Sequence, residues 1–286
     1  MYYALIFAAT ILFGLQFFFH KLYQKGEGDS VTSAMIFAFL NAMVCAVEMF
    51  CLNGFVFSFS LFSMGIALLC GLNNLLYAYS AVKALGKADL ATFSLFAMLG
   101  GMILPFCGGI LFWNEKITAV KIICCLLITF ALWLGTDRGT GSKGAVKYYI
   151  LIFLFNGMSG ILSKLHQSGE GHISGEGYML LASISAMVFS GVVLLYLAII
   201  KKQKITLQKP ARSIPSAAVY AIISGIGNLF LLIALEQVDA SVQYPFVTGG
   251  TIVISAILSA IIGEKVRIRK LIAIAVAFAA TLLLLF

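Results

Sequence analysis

The sequence predicts an all-α integral membrane protein, with ten transmembrane helices forming an inverted five-plus-five repeat around a central cavity. Three observations predict this class. Hydrophobic residues make up 62% of the 286-residue chain and charged residues only 10%, against about 25% charged in ordinary soluble domains. So much apolar surface cannot be hidden in a soluble fold of this length, so the solvent is lipid. The apolar residues fall into stretches near the roughly 20 residues that cross a hydrocarbon core of about 30 Å. Finally, the chain repeats itself at half its length. Residues 21–28 read KLYQKGEG and residues 164–171 read KLHQSGEG. The match continues in order: Asn41-Ala42-Met43-Val44 with Ser185-Ala186-Met187-Val188, Gly71 and Asn74 with Gly225 and Asn228, Gly100-Gly101 with Gly249-Gly250, and Glu115-Lys116 with Glu264-Lys265. A spacing that large marks a duplicated unit, not a short solenoid repeat.

The predicted spans are 2–22, 31–53, 61–83, 90–113, 118–136, 147–166, 177–200, 214–236, 240–262 and 267–286. Their length makes them helices, since transmembrane strands need only about ten alternating residues. The first span follows the N-terminus with no cationic leader, so it reads as a retained span. Residues 1–137 form the first repeat, 138–146 the linker and 147–286 the second repeat. Five spans are an odd number, so the second repeat enters the membrane from the opposite side. Transporters of inverted topology bind substrate at such a repeat interface near the midplane.

The loops after spans 1, 3, 5, 7 and 9 carry all of the 19 lysines and arginines except Lys116, Lys121 and Lys164. By the positive-inside rule these loops are cytoplasmic and both termini lie outside, in a multi-pass protein of the inner (cytoplasmic) membrane. The net charge of +8 then belongs to basic loops beside an anionic leaflet, not to nucleic-acid binding. The six cysteines lie in or beside apolar stretches without CxxC spacing and read as small apolar fillers. No phosphate loop, His-Glu metal pair or nucleophile with a base at motif spacing occurs in the chain. An enzyme, a cofactor and a metal are therefore not expected.

Polar side chains at mid-depth are costly unless they face a cavity or one another. Span 9 carries Tyr244, Thr248, Thr251, Ser255 and Ser259 on one helical face; span 6 carries Asn156, Ser159 and Ser163. Span 1 offers Gln16 and His20, and span 3 offers Asn73, Asn74 and Tyr77, with Asn228 the repeat mate of Asn74. The expected substrate site is Gln16, Asn73, Asn74, Tyr77, Asn156, Ser159, Asn228, Tyr244, Thr248 and Thr251. A lone Ser or Thr is more often helix–helix glue, whereas an amide demands several partners. No carboxylate lies at a midplane. Glu48, a turn from the end of span 2, reads as interfacial, and His20 as a surface histidine at a helix end. Both are candidates for coupling, as Lys83 and Glu236 at opposite faces are for gating. Gly100-Gly101 and Gly249-Gly250 read as close-packing points or hinges, and Pro105 and Pro245 as places where spans 4 and 9 loosen.

Asn114-Glu115-Lys116 with Ile117-Thr118, Gly263-Glu264-Lys265 and the Ala-rich turn 237–242 resemble the drug/metabolite transporter superfamily, in its ten-helix EamA-type branch. The resemblance covers essentially the whole chain. It implies a cavity walled by helices 1, 3, 4, 6, 8 and 9, helices 5 and 10 paired at the edge, and a peripheral helix 2. Members usually keep both termini in the cytoplasm with basic residues after helix 2. Here 53–60 carries no charge, and the charge bias favours the opposite insertion. The expected function is secondary transport of a small neutral or zwitterionic, amino-acid-like metabolite by alternating access. The alternative is efflux of hydrophobic or quaternary ammonium cations held by Phe13, Phe17, Tyr77 and Tyr244. A scaffold role ranks last, since it gives no motive for the duplication. The expected partners are a small-molecule substrate and the lipid bilayer, with the protein a monomer or homodimer.

Overall fold

A computed structural model describes residues 2–87, 90–135, 146–261 and 268–283. The expected linker 138–146, except Val146, lies outside the described residues. So do the 263–265 motif and Arg138, Lys143 and Arg267. The described residues are all-helical: α1 (Tyr2–Glu27), α2 (Val31–Leu52), α3 (Leu61–Leu85), α4 (Leu90–Trp113), α5 (Ala119–Gly135), α6 (Val146–Ser168), α7 (Gly175–Ile199), α8 (Pro210–Ala234), α9 (Ala240–Ile261) and α10 (Ile268–Leu283). Among them, seven are long and apolar enough to cross a membrane: α1, α2, α3, the 96–113 part of α4, α6, α7 and α8.

Local chemistry sets the helix ends. Ser30, Ser60 and Ser174 each precede a helix and accept the backbone N–H three residues on, at 3.0, 3.1 and 3.2 Å, which satisfies one orphan donor of a first turn. Pro210 opens α8, where its missing N–H costs nothing. α1 runs to Glu27, five residues past the expected end. The polar KLYQKGE segment continues the helix until Gly28, at φ 77, ends it and its N–H returns to the Gln24 carbonyl at 2.8 Å.

α1 packs on α8 and α9, α6 on α3 and α4, α2 on α7 and α8, α7 on α3, α4 on α9, and α5 on α10. Exchanging the first five helices with the last five leaves this set of pairings unchanged. Glycine permits the closest crossings. A Cβ on Gly100 of α4 would run into the backbone of Phe153 on α6, and a Cβ on Gly250 of α9 into Thr10 of α1. These close approaches need a residue without a side chain.

Contacts also sort the helix ends into two faces. On one, the Glu27 carboxylate at the end of α1 accepts the Gln208 and Lys209 N–H groups at 2.6 and 2.9 Å and the Ser213 hydroxyl at 2.5 Å. Lys21 donates to the Leu85 carbonyl at 2.6 Å, and Thr32 to Gln203 at 3.0 Å. Most basic loop residues gather there. On the other face Ser174 donates to Asn53, Ser60 to the Gly171 carbonyl and Trp113 to Ser168.

Candidate functional site

Between α1, α2, α3, α4, α6, α7, α8 and α9 lies a cavity of about 210 Å³, many times the roughly 10–15 Å³ that one water needs. Its wall contains no Asp, Glu, Lys, Arg or His among the described residues; the polar groups are amides, hydroxyls and phenols. The lining reaches Tyr178, Tyr244 and Leu235, within about two turns of the helix ends at the less basic face. Toward the basic face it stops at Phe37 and Tyr220. Behind them sits an aromatic layer in which the His20 ring stacks on Phe37 at 4.2 Å and meets Tyr220 and Phe93 edge-on, while Phe17 meets Phe93 at 5.5 Å. Such ring pairs add to the stability that burial alone provides, so the layer closes the cavity on the basic side.

The expected site residues divide. Gln16, Asn74, Tyr77, Asn156, Ser159, Asn228, Tyr244 and Thr248 line this one cavity. Asn73 and Thr251 do not. The Asn73 amide donates to the Phe155 carbonyl and to Ser159, at 2.9 and 2.8 Å, tying α3 to α6. Thr251 is fully buried and donates to the Thr10 carbonyl on α1. Of the lining amides, Asn156 donates to the Ala97 carbonyl on α4 at 2.7 Å, and Asn228 to the Ser224 carbonyl at 2.8 Å. Only an NH₂ group can face a carbonyl, so in both side chains the amide oxygen is the atom left over. The Gln16 amide oxygen is buried and has no partner. Tyr244 donates to the Gly160 carbonyl and Thr248 to the Met98 carbonyl.

Among the coupling and gating candidates, His20 corrects the surface reading. Its side chain is completely buried in the aromatic layer, and neither ring nitrogen has a hydrogen-bond partner. α1 is a turn longer than expected, which places His20 inside the bundle. Glu48, a turn from the end of α2, has both carboxylate oxygens shielded and unpartnered. Lys83 is half-buried in the last turn of α3, and Glu236 is exposed just beyond α8; neither lines the cavity.

The wall also contains residues that the sequence reading did not assign to it. α2 supplies Phe37, Asn41 and Cys45, and α7 supplies Tyr178 and Ser183, so α2 is not peripheral. Tyr220 and Ser224 come from α8. Asn41 and Cys45 are spaced four apart with Glu48 three further on, a polar stripe that was visible in the sequence.

Residues 145–286 match the model of the EamA-like transporter family. The chain belongs to the EamA-like transporter family. Among solved structures 28 chains are similar. One of them, a crystal structure, aligns over 98% of this chain and 94% of its own at TM-score 0.71 and 16% identity, a likeness of fold. No curated protein matches the sequence. Two of the segments that carry the resemblance, 114–118 and 237–242, hold one another in this EamA-like transporter. The Glu115 carboxylate accepts the Ala240 and Ser241 N–H groups at the start of α9, at 3.3 and 3.0 Å, and pairs with Lys164 at 3.6 Å. Negative charge at that helix N-terminus is stabilising. Lys121 pairs with Asp239 at 3.2 Å and donates to the Lys116 carbonyl. Glu115 thus fastens the segment after α4 to the start of α9.

Proposed function

We propose that the protein is a secondary carrier for a small neutral or zwitterionic, amino-acid-like metabolite, moved by alternating access of two inverted five-helix bundles. The observation that carries this reading is a cavity at the junction of the two halves, walled by amides, hydroxyls and phenols with no fixed charge among the described residues. A substrate with net charge would lose hydration there without gaining a counter-ion, which costs several kcal/mol. A neutral molecule does not meet that barrier, and in a zwitterion the two charges partly offset one another and can each be met by the polar groups of the wall. The left-over amide oxygens of Gln16, Asn156 and Asn228 accept hydrogen bonds, so they suit an ammonium or amide end. The Tyr77 and Tyr220 hydroxyls suit the other end.

The exchange symmetry of the helix pairings supports ten spans in two inverted repeats, 1–137 and 147–286 joined through 138–146. The closed aromatic layer on the basic side and the reach of the lining toward the other side support a conformation that is shut at the basic face. With the basic face cytoplasmic and the termini outside, as the charge bias indicates, this conformation faces outward across the inner membrane.

A second reading is favoured by one observation. Phe13, Phe37, Tyr77, Tyr178, Tyr220 and Tyr244 surround the cavity with rings, which attract a quaternary ammonium ion. Thermal unfolding of the purified protein against neutral and zwitterionic metabolites and against quaternary ammonium cations separates the two. A ligand at 100 times its Kd stabilises the folded form by about 2.7 kcal/mol. Shifts from the first panel, weakened in Asn156→Ala and Asn228→Ala, support the metabolite carrier. Shifts only from the cations favour the second reading.

A further inference from the structure

Glu48 has no place in the cavity wall or in any ion pair among the described residues. It lies four residues before the end of α2, about 6 Å inside that end at 1.5 Å per residue. Both carboxylate oxygens are shielded and neither has a hydrogen-bond partner. Asn41, Cys45 and Glu48 follow one another at helical spacing, and Asn41 and Cys45 line the cavity. Glu48 therefore continues the cavity stripe of α2 one turn beyond the wall. Across from it, Gly225 of α8 lines the cavity, and a Cβ on Gly225 would collide with the Glu48 carboxylate. The Glu48 carboxylate thus lies against the backbone of a glycine that lines the chamber.

Among the described residues, the surroundings hold nothing to compensate a negative charge. The titratable neighbour is the Cys45 thiol of the same helix. In the adjoining layer α7 contributes Met179 and Leu180, and α8 contributes Leu229. A bare carboxylate in such a place is costly, and the group neutralises instead. A metal cation needs several oxygen ligands, and none but its own reaches hydrogen-bonding distance of this carboxylate. The one ligand that fits is a proton.

We propose that Glu48 is a reversible proton-binding site opening onto the substrate cavity, so that substrate movement is coupled to proton movement. With α2 and α8 closed as here, Glu48 is the neutral acid. When α8 draws back from α2, the O–H proton passes to cavity water, leaving a hydrated carboxylate, and reclosure requires a proton to return. The coupling part rests on the carrier reading above; the proton site does not.

The test has two arms. In the first, the purified full-length protein is treated with dicyclohexylcarbodiimide, a lipid-soluble reagent that adds to protonated carboxyl groups, and the adducts are mapped by mass spectrometry. The expected result is an adduct on Glu48 that declines as pH rises from 6 to 9, with little from a water-soluble carbodiimide. No Glu48 adduct, or labelling independent of pH, overturns the proton site. In the second, proteoliposomes enclosing a pH-sensitive dye receive each compound of the neutral and zwitterionic panel. Wild type is expected to change the internal pH during uptake, and Glu48→Gln to take up the compound with no dye response and no effect of an imposed pH gradient. Uptake by wild type without a pH change overturns the coupling. If no compound enters wild type, the carrier reading and the coupling that rests on it both fail, while the labelling arm still decides the proton site.

Discussion

Asn73 and Asn74 are neighbours in sequence with opposite tasks. Successive residues in a helix point about 100° apart, so one amide ties α3 to α6 and the other faces the cavity. Asn73→Ala is expected to lower stability by about 1 kcal/mol while ligand-induced shifts in thermal unfolding persist. Asn228→Ala should leave stability nearly unchanged, since its amide bonds only within its own helix, and should diminish those shifts. Residue spacing could not separate Asn73 from Asn74, but the repeat could. Asn74 has Asn228 as its mate, and both line the cavity. Glu115 belongs to the same scale. Its side chain is 5% exposed, and its carboxylate caps α9 and pairs with Lys164. Glu115→Gln keeps the shape, loses the charge, and should destabilise by about 1–3 kcal/mol in thermal or denaturant unfolding; an unchanged midpoint would contradict the cap.

Among the elements, α4 and α6 cross where glycine lets backbones meet. Gly100→Ala places a methyl group against the Phe153 backbone, which cannot yield as a side-chain tip can. The helices must part, and a loss of about 1–3 kcal/mol is expected. Gly65→Ala is the control: nothing lies within 4 Å of its Cβ position, and helix propensity should stabilise it by up to about 1 kcal/mol. Equal midpoints for the two variants would contradict the crossing. The helices themselves were legible because hydropathy and length suffice to mark them. Their boundaries were less so, since KLYQKGE is polar enough to read as a loop yet continues α1 to Glu27. The role of α2 was hidden for a different reason. Its polar stripe is short, and only packing against α7 and α8 turns Asn41 and Cys45 toward the chamber. His20 was misplaced because burial of a histidine among Phe37, Phe93 and Tyr220 depends on residues far apart in sequence.

At the scale of the whole molecule, contacts gather the basic loops at one face and the cavity reaches toward the other. With the basic face cytoplasmic, single cysteines in an otherwise cysteine-free protein should differ sharply. Asn53→Cys should react with a membrane-impermeant maleimide added to intact cells, and Gln203→Cys only after permeabilisation; the reverse pattern would invert the orientation. The repeated markers were plain in the sequence because they stand in the same order in both halves. Which side of the chamber is shut was not, since the closing layer assembles from α1, α2, α4 and α8. The central claim is that the uncharged chamber carries a small polar metabolite, and counterflow tests it most directly. Proteoliposomes preloaded with one unlabelled neutral or zwitterionic metabolite at a time are given a trace of the same compound in labelled form. The account predicts transient accumulation of label for at least one compound, lost in the Asn156→Ala, Asn228→Ala double variant that still folds. No accumulation across the panel, with accumulation of quaternary ammonium cations in its place, would contradict it.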